Sequence, residues 1–134
     1  MIRNLYVAAP WIHRLTARQT AQELREAGFE ITSRWHDEWG TNPDHPQTAD
    51  TLDPVTAATE AAMDFTDVLC ADAMVVLNLS KSEGKAVEQG IALTAQLPVV
   101  VVGSERFNVF QYLDTFHLVP DLPAAIAFLR TLTK

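Results

Sequence analysis

The sequence predicts a single doubly wound α/β domain of the flavodoxin or Rossmann-like type, with a parallel sheet of about five strands over residues 1–134. Three observations support this fold class. Short apolar runs alternate with longer segments of helical period, as in chains built from strand–helix units. The run Ala73–Leu77 has no polar alternation, as expected of a strand buried on both faces. The chain length suits one domain with one core.

The first part of the chain is predicted to contain two strands and one helix. Ile2–Ala8 is the expected first strand, and Trp11–Ala27 is an expected helix that ends before Gly28, a suitable C-terminal cap. Phe29–Ser33 is the expected second strand. Arg34–Leu52 is polar and has no period, and loops of this length are usually functional or mobile.

A further helix is predicted to begin at Pro54, with Asp53 as its N-cap. Its expected buried stripe recurs at helical spacing and consists of Val55, Ala58, Ala62, Phe65 and Leu69. Cys70 follows on the same apolar face, and we expect a buried structural thiol there.

The second half of the chain continues the alternation of strands and helices. Strands are predicted at Ala73–Leu79, Pro98–Val102 and Phe116–Val119, and helices at Gly84–Gln96, Phe107–Leu113 and Pro123–Leu132. Asp121 stands near the start of the last helix. This alternation predicts a parallel sheet covered on both faces.

Composition and charge limit the possible partners. The net charge of −7 and the pI of about 4.9 disfavour binding to nucleic-acid polymers, which requires clustered Lys and Arg. A small phosphorylated ligand remains compatible, because one arginine or a helix N-terminus can hold a phosphate. We expect no membrane span and no signal peptide, and the single cysteine, Cys70, suits a reducing cytoplasm.

Glu88 is the main candidate for a reactive group. It lies in the run Ser82–Gly90 after an apolar strand, and residues just past a strand's carboxyl end line the ligand crevice of a parallel sheet. A carboxylate there, beside small glycines, can act as a nucleophile or general base, whereas the alternative is an ordinary surface glutamate. The end of the first strand, Tyr6–Trp11, and the helix bearing Asp64 should reach the same edge.

The order and spacing of these segments resemble the nucleoside 2-deoxyribosyltransferase family, together with its relatives that hydrolyse 2′-deoxynucleoside 5′-monophosphates. Asp64 lies eight residues before Asp72, and Glu88 lies sixteen after it. The resemblance runs over Leu5–Phe110. It implies that Glu88 attacks the anomeric carbon of the deoxyribose, that Asp64 assists at the base, and that Tyr6 orients the nucleophile.

The resemblance also implies substrate contacts, and these mix the two branches. Trp11 matches a tryptophan of the transferases, and Asn108 resembles a transferase asparagine that reaches into the neighbouring subunit's site. Ser82 and Gly84 match the monophosphate hydrolases, in which the serine contacts the 5′-phosphate.

Pro10 departs from both branches. The hydrolases carry a phosphate-binding serine near that point and an arginine soon after it. Arg14 could replace this arginine only by reaching from the first helical turn.

The implied chemistry needs neither a cofactor nor a metal. Loss of the base creates an oxocarbenium-like centre that a carboxylate can capture, as in retaining glycosidases, while a second carboxylic acid of raised pKa protonates the base. The partner would be a small-molecule nucleoside or nucleotide. Because Asn108 would act across a subunit boundary, we expect a homodimer or higher homo-oligomer with sites at the interface.

The polar segment and the fold leave other interpretations open. Trp35 and Trp39 could stack on a nucleobase or only pin the loop to the body. Four residues of the same segment are of types that bind metals, but their spacing matches no metal-ligand pattern, and a polar loop explains their presence: His36, Asp37, Glu38 and His45.

Other function classes share the predicted fold. A receiver needs an acceptor aspartate where this chain has Asn78, and Ala8–Pro10 is not the phosphate loop of a flavodoxin. The remaining alternatives are an N-hydrolase without transfer and a non-catalytic nucleotide-binding module.

Overall fold

The sheet at the centre of the molecule is five-stranded and entirely parallel. The computed structural model describes residues 1–38 and 52–133. The strands are β1 (Asn4–Ala8), β2 (Glu30–Ile31), β3 (Ala73–Leu77), β4 (Val99–Val102) and β5 (Phe116–Val119), in the spatial order β2-β1-β3-β4-β5. The predicted α/β class and strand number are confirmed.

Helices follow the strands as the sequence predicts. They are α1 (Arg14–Glu26), α2 (Trp35–Glu38), α3 (Pro54–Leu69), α4 (Glu83–Thr94) and α5 (Leu122–Leu129), with 3-10 turns at Trp11–His13 and Val109–Tyr112. Asp53, Ser82 and Asp121 cap α3, α4 and α5, because each side chain accepts a hydrogen bond from an amide of the first turn. Gly28, with φ of 103°, follows the end of α1.

The core lies on both faces of the central strands. Every residue of β3 is buried, and its parallel register pairs Met74 with Tyr6 of β1 and with Val99 of β4. Helices α3 and α4 lie side by side and pack against each other. A hydrogen bond of 3.1 Å from Arg130 Nη2 to the carbonyl of Ala27 links the ends of α5 and α1.

The predicted buried stripe of α3 is wrong. All five of its residues are exposed: Val55, Ala58, Ala62, Phe65 and Leu69. The buried residues of this helix are Asp67 and Val68, and Asp64 beside them is half-buried. Alanines occur on both sides of α3, so apolar periodicity alone cannot tell the inner face from the outer one. The helix turns carboxylates inward and apolar side chains outward.

Cys70 is exposed and not buried as expected, because it is the C-cap residue of α3, beyond the last turn. The predicted helix Phe107–Leu113 is reduced to its 3-10 turn. Part of the Arg34–Leu52 segment, including Trp39 and His45, lies outside the described residues. Among the residues that are described, no helix combines the length and apolarity needed to cross a membrane.

Candidate active site

Tyr6 and Glu88 meet beside the crevice of the sheet. The chain leaves β1 toward β2 on one side and leaves β3 toward β4 on the other, and such a switch point opens a crevice at the carboxyl ends of the strands. Tyr6 is fully buried in β1, and its Oη donates a hydrogen bond to Oε2 of Glu88, which is half-buried on α4. The structure thus brings together two of the three residues assigned to catalysis by resemblance.

The carboxyl group of Glu88 is kept from ionising by its surroundings. Burial raises its pKa from 4.5 to about 8, since a desolvated carboxylate is disfavoured relative to the neutral acid. The Tyr6 hydroxyl is a donor suited to the ionised form. Glu88 is therefore an acid that ionises near neutral pH within a fixed hydrogen bond, and perturbed groups of this kind cluster at functional sites.

Asp64, on α3, is the second carboxyl group with a strongly raised pKa. Burial is the largest cause, followed by the negative charges of Asp67 and Glu60, and together they raise the pKa to about 7. The positive charge of Arg34 acts in the opposite direction and lowers the pKa of Asp64, but it is the smallest of these causes, and the Arg34 guanidinium pairs with Asp67, with 2.7 Å between Nη2 and Oδ1. Within the described part of the chain, Oδ1 of Asp64 is buried without a hydrogen-bond partner. Asp64 is thus a partly buried carboxylic acid that titrates near neutral pH, and its role in a reaction stays a prediction.

Trp11, Trp35 and Arg14 form one aromatic and cationic cluster beyond the end of β1, in which the two indole rings are tilted by 43°. The ring centroids of Trp11 and Trp35 lie 6.1 Å apart, and the Arg14 guanidinium lies 5.1 Å from the Trp11 ring centroid. Trp35 is only 6 % exposed, and its Nε1 donates to the carbonyl of Val7 at 2.9 Å. Trp35 therefore pins its segment to the body of the protein, and contact of these side chains with a base stays a prediction.

Ser82 and Asn108 line the same hollow, of about 330 Å³, at the start of α4. Ser82 Oγ accepts from the Lys85 amide at 3.3 Å, so the serine is a helix cap whatever else it binds. Asn108 is exposed, and its Oδ1 accepts from the Phe110 amide at 3.0 Å. A Cβ added to Gly84 would lie 4.0 Å from Ser82 Oγ, so the chain itself imposes no need for glycine there.

The sequence interpretation missed several buried polar residues. Asp67, which takes the Arg34 ion pair, follows Glu60 and Asp64 at helical spacing, and this spacing could have placed all three on one face of α3. Despite these carboxylates, residues 1–38 and 52–133 contain no group of three His, Cys, Asp or Glu side chains that could hold a metal ion.

Three solved structures are similar to this chain over nearly its whole length. A 2-deoxyribosyltransferase from the psychrotolerant bacterium Bacillus psychrosaccharolyticus, described as a biocatalyst for nucleoside synthesis, has 19% identity and a TM-score of 0.68, over 94% of this chain and 95% of its own. A CMP N-glycosidase from Clostridium botulinum has 14% identity and a TM-score of 0.57, over 97% and 100%. A conserved protein from Enterococcus faecalis V583 has 16% identity and a TM-score of 0.62, over 98% and 99%.

Neither a protein-family model nor a curated protein matches the sequence. At these identities the structural likeness shows a shared fold. The resemblance drawn from the sequence is confirmed at that level.

Proposed function

We propose that this protein cleaves the N-glycosidic bond of 2′-deoxynucleosides or their 5′-monophosphates and transfers the deoxyribosyl group to another base or to water. One observation carries the proposal: a desolvated glutamate, Glu88, is held by a buried tyrosine, Tyr6, beside the sheet crevice. Two of the similar structures, the 2-deoxyribosyltransferase and the CMP N-glycosidase, act on nucleoside or nucleotide substrates by name. We expect the reaction to take place in the cytoplasm.

In the first step, ionised Glu88 attacks the anomeric carbon of the sugar. The bond from a Glu88 carboxylate oxygen to C1′ forms as the bond from C1′ to the base nitrogen breaks, and the departing electron pair stays on the base. Neutral Asp64 supplies the proton that the base takes up. Tyr6 donates to Glu88 and keeps the attacking carboxylate in one orientation.

In the second step, a new base or a water molecule attacks C1′ and releases Glu88 as a carboxylate. Asp64, now ionised, accepts the proton that the attacking nucleophile loses, so both carboxyl groups return to their starting states. Transfer and hydrolysis differ only in which nucleophile enters. The serine at position 82 is compatible with a 5′-phosphate, since its hydroxyl stands at the N-terminus of α4.

We further propose that two copies of the chain associate through the outer face of α3 and α4, defined by Val55, Ala58, Ala62, Phe65, Leu69, Val87 and Ile91. A hollow of about 340 Å³ on this face is lined partly by Phe65, Leu69 and Val87, and no charged side chain lines it. Because each chain carries a net charge of −7, copies can approach at least cost where the surface is uncharged. An apolar patch of this kind marks an interaction site, and a second copy brings an equally uncharged surface.

A chromatographic assay for free base tests the proposed reaction. The wild-type protein is incubated with a 2′-deoxynucleoside, with its 5′-monophosphate, and with each of these plus a second free base. Transfer gives a new deoxynucleoside, hydrolysis gives free base and sugar, and a non-catalytic nucleotide-binding module gives neither.

Glu88→Gln is the decisive variant, because it keeps the side-chain shape and removes the nucleophile. Its rate should fall by at least about three orders of magnitude, as expected when a covalent nucleophile is lost. Glu83→Gln, on the exposed first turn of α4, is the matched control and should retain activity. Equal turnover by the Glu88 variant and its control would refute the mechanism.

A further inference from the structure

Four buried polar side chains form a cluster at the carboxyl end of β3. They are Asn78, Lys85, Gln89 and Gln111, and each is no more than 6% exposed. They come from three separate parts of the chain, namely the end of β3, the inner face of α4 and the 3-10 turn Val109–Tyr112. The proposed reaction gives none of them a role.

The four side chains are joined by hydrogen bonds. The amides of Asn78 and Gln111 pair reciprocally at 3.1 and 3.2 Å, and Nε2 of Gln111 also donates to Oε1 of Gln89 at 2.8 Å. Nζ of Lys85 donates to Oδ1 of Asn78 at 2.9 Å. Nε2 of Gln89 closes the chain of contacts by donating to the Lys85 carbonyl at 3.0 Å. A connected, buried network of this kind specifies one arrangement.

The cluster also holds the backbone of two surface segments. Lys85 Nζ donates to the carbonyl of Ser80 at 2.8 Å, which fixes the loop that leads into α4. Asn78 Nδ2 donates to the carbonyl of Glu105, and Oε1 of Gln111 accepts from the Phe107 amide, both at 2.8 Å. The segment 105–111, which carries Asn108, is therefore fixed to the same helix as Glu88.

The inner face of α4 explains why this matters for Glu88. Its fully buried residues are Lys85, Gln89 and Ala92, and Ile91 and Leu93 pack against the core only in part, so much of the buried contact made by α4 is polar. Apolar contact is non-directional and permits small rotations of a helix, whereas hydrogen bonds weaken steeply when their angles change. The rotation of α4 about its axis, and with it the approach of Glu88 to Tyr6, thus depends on polar anchors.

We propose that Asn78, Lys85, Gln89 and Gln111 are positioning residues that set the rotation of α4 and so hold Glu88 against Tyr6. Lys85 is central, because its long side chain links the loop, the strand end and the helix. The two acceptors of the Lys85 ammonium are a side-chain amide oxygen and a backbone carbonyl, and both are neutral. The role of Lys85 in the cluster is therefore to span these groups with directed hydrogen bonds and not to neutralise a carboxylate. The proposal concerns the same site as the proposed function, but its geometry does not depend on the substrate.

Lys85→Met is the principal test, with Lys81→Met as the matched control. Both variants lose one lysine charge on the same segment, but Lys81 is exposed. Two measurements need no substrate: the titration midpoint of the Glu88 carboxyl by carbon-13 NMR, assigned with Glu88→Gln, and hydrogen exchange of the Phe107 amide. Where base release is detected, kcat and KM are measured as well.

In Lys85→Met, the Glu88 midpoint should fall by about 1 pH unit or more as the carboxyl gains solvent. Loss of a nearby positive charge alone would move the midpoint upward, so a fall reports displacement. Exchange at Phe107 should quicken about tenfold or more, and kcat should drop about 10- to 100-fold with little change in KM. Lys81→Met should change neither the midpoint nor the exchange.

Gly103→Ala provides a second variant that removes no cluster side chain. Its added Cβ would lie 3.2 Å from Cβ of Asn78, so Asn78 must give way by a few tenths of an ångström. The Glu88 midpoint and the Phe107 exchange should change in the same directions as in Lys85→Met but by smaller amounts, and if Lys85→Met does not fold, Gly103→Ala decides alone. A folded variant that keeps the wild-type Glu88 midpoint and Phe107 protection would overturn the proposal. Absence of base release from the wild type would count against the proposed function only.

Discussion

Replacing Glu88 by glutamine should make the protein more stable at pH 8 while abolishing its proposed chemistry. In the folded protein the pKa of Glu88 is raised from 4.5 to about 8. Because folding raises the pKa of this carboxyl group, its contribution to stability is greatest at low pH, where the group is protonated in both the folded and the unfolded protein. That contribution is lost as the pH rises through 4.5, where the unfolded chain begins to ionise, toward 8, where the folded chain follows.

The size of the effect follows from the two pKa values. Between pH 5 and pH 8, ionisation of Glu88 in the unfolded chain costs the wild type about 3–4 kcal/mol of its free energy of unfolding. Glutamine has no proton to lose. The difference in stability between Glu88→Gln and the wild type should therefore grow by this amount over the same interval, which for a chain of this size is a shift in Tm of roughly 10 °C.

The measurement is denaturant unfolding of both proteins at pH 5 and pH 8, followed by circular dichroism. All other titrating groups are common to the two proteins and cancel in the comparison. Glu83→Gln, an exposed change on the same helix, should show no such pH dependence. A difference between wild type and Glu88→Gln that stays constant within about 1 kcal/mol from pH 5 to pH 8 would refute the desolvation argument.

Three further predictions concern activity and assembly. The profile of kcat/KM against pH should be bell-shaped with a maximum near pH 7.5, because the reaction needs Glu88 ionised and Asp64 protonated. With pKa values of about 8 for Glu88 and about 7 for Asp64, only about 6 % of the free enzyme holds both states at that pH. Asp64→Asn should remove the alkaline limb of the profile. A monotonic profile would contradict these assignments. Ser82→Asp should lower kcat/KM for a deoxynucleoside 5′-monophosphate at least about tenfold more than for the free nucleoside, because a carboxylate at the N-terminus of α4 repels a phosphate. If the ratio of the two kcat/KM values does not change, Ser82 is a helix cap alone. Phe65→Asp should reduce the mass found by light scattering to that of one chain, whereas Ile12→Asp, at a still more exposed apolar residue outside the outer face, should not. A wild-type monomer at micromolar concentration with full activity would refute the proposed association.

The fold was predictable from sequence because the strongest signals are local. The apolar run Ala73–Leu77 and the N-cap Asp53 each determine structure within a few residues, and the structure confirms both. The outward turn of Phe65 and Leu69 was not predictable from periodicity, since both faces of α3 carry small apolar residues and only tertiary contacts select the inner one.

The site was predictable only in part. Resemblance named Tyr6 and Glu88, and their contact joins residues 82 positions apart, which no spacing rule encodes. The polar cluster around Lys85 was missed in part for the same reason, because Gln111 reaches Asn78 and Gln89 from a distant segment. The contacts of Lys85 with Asn78 and Ser80 are close in sequence, but a lysine in the first turn of a helix looks solvated until the end of β3 and the following loop are folded around it. Long-range polar contacts of this kind depend on the completed sheet and not on local pattern.

The position of Tyr6 in β1 fixes one side of the contact that orients the proposed nucleophile. Strand β1 is paired on both sides, with β2 and β3, and Tyr6 is fully buried. Residues in such a strand separate from their neighbours only in the rarest, most extensive openings of a native protein. The hydroxyl of Tyr6 should therefore stay in place about as long as the folded sheet itself, so any loss of its contact with Glu88 short of unfolding should come from movement of α4.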